Sequence, residues 1–261
     1  MRYGIGIDIG STNAKTVVMN SDGTVLERMS QPTGFSSVET ANAIQQTLSG
    51  KNYLSSDDYA VVATGYGRVS VPFADKCVTE ISCHAKGACH IFGEQHLGII
   101  DIGGQDTKLI AVTNGNVGNF VMNDKCSAGT GRFLEVMAGT LEVTPGELCE
   151  LAKQGGNTKI SSLCTVFAES EVISLIGRGE ARENIAYGVV DSIVQKVKSQ
   201  AGKLQFGKAP VVLTGGLCDF PYVSQSLSKA FATDVRTDPD ARYAGAIGAA
   251  LFALSMRKQS V

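Results

Sequence analysis

Asp8 closes an apolar run in Gly4-Ile5-Gly6-Ile7-Asp8-Ile9-Gly10-Ser11-Thr12-Asn13-Ala14-Lys15. Asp101 does the same in Gly98-Ile99-Ile100-Asp101-Ile102-Gly103-Gly104-Gln105-Asp106-Thr107-Lys108. The two segments superimpose without a gap, 93 positions apart (8 and 101, 15 and 108). An aspartate at a strand end, followed by a turn of small residues, offers backbone N–H groups to phosphate oxygens. Gly10, Ser11, Thr12 and Lys15 supply such donors in the first copy, and Gly103, Gly104 and Asp106 occupy the second. Asp8 and Asp101 suit Mg²⁺ held through water. Gln105, uncharged, is of the type that orients an attacking water in phosphoryl transfer. The plainer reading is two ordinary β-hairpins with buried aspartates. The pairing of the repeat, with a third glycine turn at Gly215-Gly216, argues against it.

The second reactive set is a pair of cysteines. Cys126 lies in Met122-Asn123-Asp124-Lys125-Cys126-Ser127-Ala128-Gly129-Thr130-Gly131-Arg132-Phe133, between a strand pattern at Asn116–Met122 and helical spacing at Phe133, Leu134, Val136 and Met137. Cys164 stands just ahead of a helical pattern from Thr165 to Ile176. A thiolate at a helix N-terminus is stabilised by the helix end. Two such thiolates are half of what a [4Fe–4S] cluster usually takes, and a twofold homodimer completes the set. Spacing alone does not establish this cluster, and buried small cysteines beside tight turns remain the plainer reading. Cys77, Cys83 and Cys89 are six apart, which does not share a helical face. They, Cys149 and Cys218 read as structural or surface thiols, and His84 and His90 form no CxxC or HxxxH spacing.

The elements that must position these residues follow from patterning. Strands are expected at both repeats, at Thr24–Met29, at Tyr59–Thr64 and at Pro210–Thr214. Helices are expected at Ser36–Leu48, from a capping box at Thr144-Pro145-Gly146-Glu147 to about Lys153, at Thr165–Ile176, at Glu180–Leu204, at Phe220–Phe231 and at Ala241–Met256. The repeat implies an α/β fold of two duplicated lobes with mixed sheets, 1–95 and 96–261, a nucleotide cleft between them and the last helix packing back on the first lobe. The chain has 261 residues, 43% hydrophobic and 18% charged, with a formal net charge of −2 and seven cysteines. No basic block favours nucleic acid or an anionic membrane. The longest apolar stretch, Ala244–Leu254, falls short of the roughly 20 residues that span a bilayer. Asp8 inside the first apolar run speaks against a signal peptide, and an odd cysteine count without one favours reduced thiols in the cytoplasm.

With these motifs the chain resembles the actin-like ATPase superfamily of sugar kinases, actin and Hsp70 chaperones. Gly6–Val18 and Ile99–Ile110 match its two phosphate motifs and Val211–Gly216 its adenosine motif. Ser127–Met137 and Tyr243–Phe252, with the small residues Gly245, Ala246 and Gly248, match the connecting helices. Within it, Asn123–Phe133, Cys164–Glu171, Ala63-Thr64-Gly65-Tyr66-Gly67-Arg68 and Ser82-Cys83-His84-Ala85 are similar to the activator components of 2-hydroxyacyl-CoA dehydratases, in the BadF/BadG/BcrA/BcrD type of ATPase. The resemblance implies a homodimer binding ATP or ADP with Mg²⁺ and sharing one [4Fe–4S] cluster on Cys126 and Cys164 of each copy. It implies Gly129, Thr130, Gly131, Gly215 and Gly216 at the nucleotide. It also implies ATP-driven delivery of one low-potential electron, received from a ferredoxin or flavodoxin, to a dehydratase or a related CoA-thioester reductase. The rival expectations are a small-molecule kinase of the same superfamily, which needs no iron, and an ATP-dependent scaffold.

Overall fold

The structure, a computed structural model, describes residues 3–55, 58–162, 164–204 and 206–257, the Arg257 side chain excepted. Leu163 and residues 258–261, part of the expected Cys164 segment and last lobe, lie outside the described residues. The chain divides into two compact units: one runs to His96 and adds Val112–Gly118 and the chain from Asp240, and the other is Leu97–Ala111 with Asn119–Pro239.

The first unit contains β1 (Tyr3–Ile9), β2 (Asn13–Asn20), β3 (Val25–Pro32), α1 (Ser37–Gly50), β4 (Tyr59–Thr64), β5 (Lys76–Cys77) and α2 (Glu80–Phe92). Its five strands lie in the order β3-β2-β1-β4-β5, with β1 antiparallel to β2 and parallel to β4. Period-two alternation in β1 sorts its residues. Ile5, Ile7 and Ile9 share a core with Ala41, Ile44 and Leu48 of α1, whose start Ser36 caps by accepting from the Glu39 N–H. Gly4, Gly6 and Asp8 occupy the alternate positions.

The chain from Leu97 to Pro239 follows with β6 (Leu97–Ile102), β7 (Thr107–Thr113), β8 (Asn116–Asn123), α3 (Gly131–Thr140), α4 (Pro145–Ala152), α5 (Thr165–Gly177), α6 (Arg182–Ala201), β9 (Val211–Gly215), α7 (Pro221–Phe231) and β10 (Val235–Arg236), all in the second unit but for the β7–β8 turn at Val112–Gly118. The order β10-β9-β6-β7-β8 reproduces the first sheet, β6 standing for β1 and β9 for β4, again in parallel. The expected capping box is present: Thr144 and Glu147 bond reciprocally at the start of α4.

The closing helix α8 (Ala244–Arg257) packs in the first unit against β1, β4 and α2. A side chain at Gly6 would sit 1.9 Å from the Ala246 carbonyl oxygen, so only glycine admits this helix. The helix α2 was not among the sequence expectations. Among the described residues no helix is long and apolar enough to cross a membrane.

Candidate functional site

Both repeat turns close in the same way: the Gly10 N–H donates to the Asn13 carbonyl at 3.1 Å, and the Gly103 N–H to the Asp106 carbonyl at 2.9 Å. Strand register then sets a threonine beside each aspartate, Thr64 beside Asp8 and Thr214 beside Asp101. Each threonine precedes a glycine at matching positive φ, +84° at Gly65 and +86° at Gly215. A Cβ at Gly65 would lie 2.4 Å from Asp8 Oδ1, and one at Gly215 2.9 Å from Asp101 Oδ1. The Thr-Gly pairs are therefore parts of the two aspartate sites. They went unmatched in the sequence, although each stands at the end of an apolar strand.

The surroundings of the two aspartates differ. Asp101 is 1% exposed; it accepts from the Thr214 hydroxyl at 2.8 Å and pairs with Lys108 Nζ at 3.3 Å. Lys108 is as deeply buried and also pairs with Asp106 at 2.8 Å. Asp8 faces His84 of α2, whose Nε2 lies 4.0 Å from Asp8 Oδ2 and 3.8 Å from Glu80 Oε1. Lys15 sits opposite Asp8 in the strand register, half-buried. Ser11 and Thr12 are half-buried in the first turn, Gly104 is half-buried in the second, and Gln105 is exposed at its tip.

The second turn is sewn to the chain that carries Cys126. The N–H groups of Gly131 and Arg132 donate to the carbonyls of Gly103 and Gly104 at 2.9 and 2.8 Å. The Thr107 hydroxyl donates to the Gly129 carbonyl at 2.6 Å, and the Thr130 hydroxyl to the Ser127 carbonyl at 2.7 Å. These bonds correct one expectation. Cys126 does not begin the helix: α3 starts at Gly131 with Thr130 as its N-cap, so Cys126 lies in the preceding turn. The segment bends over Gly103-Gly104 before it can coil, and tertiary hydrogen bonds replace the helical ones there. Asn123 holds this turn, donating from Nδ2 to the Cys126 carbonyl at 2.7 Å. Cys164 does stand at a helix start, as the N-cap of α5.

The two cysteine segments meet: the hydroxyls of Ser127 and Thr165, each next to a cysteine, hydrogen-bond at 2.7 Å. Cys164 is exposed and Cys126 half-exposed, whereas Cys83, Cys89, Cys149 and Cys218 are buried. Burial pushes the thiols of Cys83 and Cys149 up to about 12, which keeps them protonated and unsuited to bind a metal as thiolates. Cys77 is exposed, but it lies in β5 of the first unit. Accessible sulfurs on adjoining, hydrogen-bonded turns fit an iron–sulfur cluster edge, and the five other cysteines do not. Gly215 and Gly216 turn the chain out of β9, beside Asp101 through the Thr214 bond.

Comparison with known proteins places this arrangement. The family profile of the BadF/BadG/BcrA/BcrD ATPases matches residues 5–253. The (R)-2-hydroxyglutaryl-CoA dehydratase activating ATPase of Acidaminococcus fermentans is 43% identical over 253 residues, 96% of each chain. The solved activator of 2-hydroxyisocaproyl-CoA dehydratase from Clostridium difficile, with bound ADPNP, superimposes with a TM-score of 0.89 at 38% identity, covering 99% of this chain and 96% of that one. A ROK family glucokinase from Streptomyces griseus shares the actin-like fold alone, with a TM-score of 0.61 at 16% identity over 97% of this chain and 99% of its own.

Proposed function

Because the chain belongs to the BadF/BadG/BcrA/BcrD ATPase family, we propose that it is an ATP-hydrolysing, iron–sulfur activator that passes a low-potential electron to a 2-hydroxyacyl-CoA dehydratase or a related CoA-thioester reductase. The observation that carries this reading is the Ser127–Thr165 bond, which joins two accessible cysteine segments, one of them sewn to the Gly103 turn. Cys126 and Cys164 supply two thiolates, and a second copy of the chain supplies two more. A [4Fe–4S] cluster held by these four supplies one-electron redox chemistry at low potential. The helix α5, which begins at Cys164, leaves Val166, Phe167, Ile173 and Ile176 exposed, and this apolar face supports a homodimer. A ferredoxin or flavodoxin delivers the electron.

At the nucleotide, Lys15 and the backbone N–H groups of Gly10, Ser11, Thr12, Gly103 and Gly104 bind phosphate oxygens. Asp8 and Asp101 hold Mg²⁺ through water, with Asp106 fixing Lys108 beside Asp101. Gln105 orients the attacking water, and Gly215-Gly216 lies along the adenosine. Gly129, Thr130 and Gly131 face the phosphates on one side and continue into the Cys126 turn on the other. A change of phosphate at Gly103-Gly104 is thereby felt at Cys126 through three hydrogen bonds.

An anaerobic iron and sulfide assay on the purified protein tests the reading. It should find about four irons per dimer, lost in Cys126→Ala and in Cys164→Ala while nucleotide binding persists. Full cluster stoichiometry in a verified monomer would exclude the shared site. ATP-dependent phosphorylation of a small acceptor by iron-free protein would favour the kinase instead.

A further inference from the structure

We propose that Glu171 is a positioning residue for Cys164, reaching back from the second turn of α5 to fix the chain that enters that cysteine. This rests on the reading of Cys164 as a cluster ligand.

Glu171 Oε1 accepts from the Ser161 N–H and the Ser161 hydroxyl, both at 3.0 Å. Its Oε2 accepts from the Ser162 N–H at 3.0 Å and the Ser162 hydroxyl at 2.8 Å, and shares the Ser161 N–H at 3.1 Å. Four donors thus converge on one carboxylate, which has about four acceptor sites and no proton to give. Burial works to raise the pKa of this carboxyl, but the bonds from Ser161 and Ser162 outweigh it and hold it below the usual carboxylate range. Ser162 lies two residues before Cys164, and on the other side Thr165 is bonded to Ser127. The cysteine is exposed and its own side chain makes no capping bond. Its placement is therefore set from both flanks, by Glu171 before it and by Ser127 after it.

A carboxylate is the required group. Glutamine has the same length and keeps one acceptor oxygen, but its NH₂ would oppose a backbone N–H of Ser161 or Ser162. Alanine at Ser161 or Ser162 removes only a hydroxyl and leaves the backbone bonds in place. Glu171→Gln should therefore loosen the segment, Glu171→Ala should loosen it more, and the serine variants less.

The test uses full-length protein prepared anaerobically, with the rate at which an iron chelator strips it and the electron paramagnetic line shape of the reduced protein as readouts. Glu171→Gln should speed stripping about tenfold, the expected loss of hydrogen bonds to a charged group, and should broaden or shift the line shape. Hydrogen exchange at the Ser161 and Ser162 amides should rise in iron-free Glu171→Gln, which reports the clamp without the cluster. Should Glu171→Gln fail to fold, the Ser161→Ala/Ser162→Ala double variant serves, with stripping faster by about threefold for the milder loss. If Cys164→Ala loses its iron while the Glu171 and serine variants keep wild-type stripping rates and line shape, the positioning role is overturned and the ligand reading stands. If Cys164→Ala keeps its iron, the ligand reading falls and the positioning role with it.

Discussion

The two repeated hairpins share a backbone and differ in where their charges go. Both close with the same glycine-to-turn hydrogen bond, and both set a Thr-Gly pair beside the aspartate. In the second unit Lys108 is spent inside the protein, held by Asp101 and Asp106. Its counterpart Lys15 is half-buried and makes no ion pair among the described residues, so its charge is available to a ligand. The turns are also anchored differently. The Gly10 carbonyl accepts from the Thr33 hydroxyl at the end of β3, whereas the Gly103 carbonyl accepts from Gly131, just beyond Cys126. Thr107, which bonds the Gly129 carbonyl, stands where the first copy has Ala14, a position with no hydroxyl to give. Duplication kept the frame. On the proposed reading, one copy keeps a cation for the phosphates, and the other ties its turn to the chain that carries Cys126.

Removing each aspartate should separate the copies most widely. Asp101→Ala leaves a fully buried lysine with one partner fewer, and breaking such a pair costs about 3–5 kcal/mol. Asp8→Ala should cost clearly less in denaturant unfolding while impairing Mg²⁺-dependent hydrolysis. Equal losses would erase the contrast. The turn tips come next. Gln105→Ala should slow ATP turnover by about 10- to 100-fold without altering stability, whereas Thr12→Ala, at the matching position of the first turn, should slow it less than about tenfold. Steady-state hydrolysis at saturating ATP reads both.

Lys15→Met should weaken nucleotide binding by about tenfold, roughly 1.4 kcal/mol, with an unchanged unfolding midpoint; calorimetry on iron-free protein decides it. A variant that binds ATP normally would mean that Lys15 is no more available than Lys108. The smallest effect belongs to Thr107→Val, which removes one hydrogen bond worth about 1 kcal/mol. It should shrink the difference in iron-stripping rate between the ADP-bound protein and the protein bound to a non-hydrolysable ATP analogue. An undiminished difference would place the relay elsewhere.

The constant offset of 93 made β1–β2 and β6–β7 legible, because neither copy has an insertion within it. The Thr-Gly partners escaped because the helices between β6 and β9 stretch one interval: Thr64 follows Asp8 by 56 positions and Thr214 follows Asp101 by 113. The helix α2 left little trace because its buried residues, Cys83, Ala85, Gly87, Ala88 and Cys89 beside His84, are mostly small. Such small residues allow a close approach to α8, where a Cβ on Gly87 would meet the Ala244 carbonyl at 1.9 Å, and they give almost no apolar contrast. The start of α3 lies later than local propensity suggests because Ser127 and Gly129 are hydrogen-bonded to the distant Thr165 and Thr107, which propensity does not record.

The helix α8, threaded against the glycines of β1, also fixes an order of events during synthesis. The sheet of the first unit is made well before α8, yet one of its faces waits for Ala246 and Ala250 of that helix. At about 5–20 residues per second, the chain between β4 and α8 takes on the order of ten seconds or more to emerge. Throughout that interval Val17, Met19, Ala60 and Val62 lack α8, and α2 alone, through Cys83 and Ile91, covers part of their face. The nascent chain is therefore a natural client for chaperones, and a premature stop before Asp240 yields an aggregating fragment rather than a smaller working enzyme.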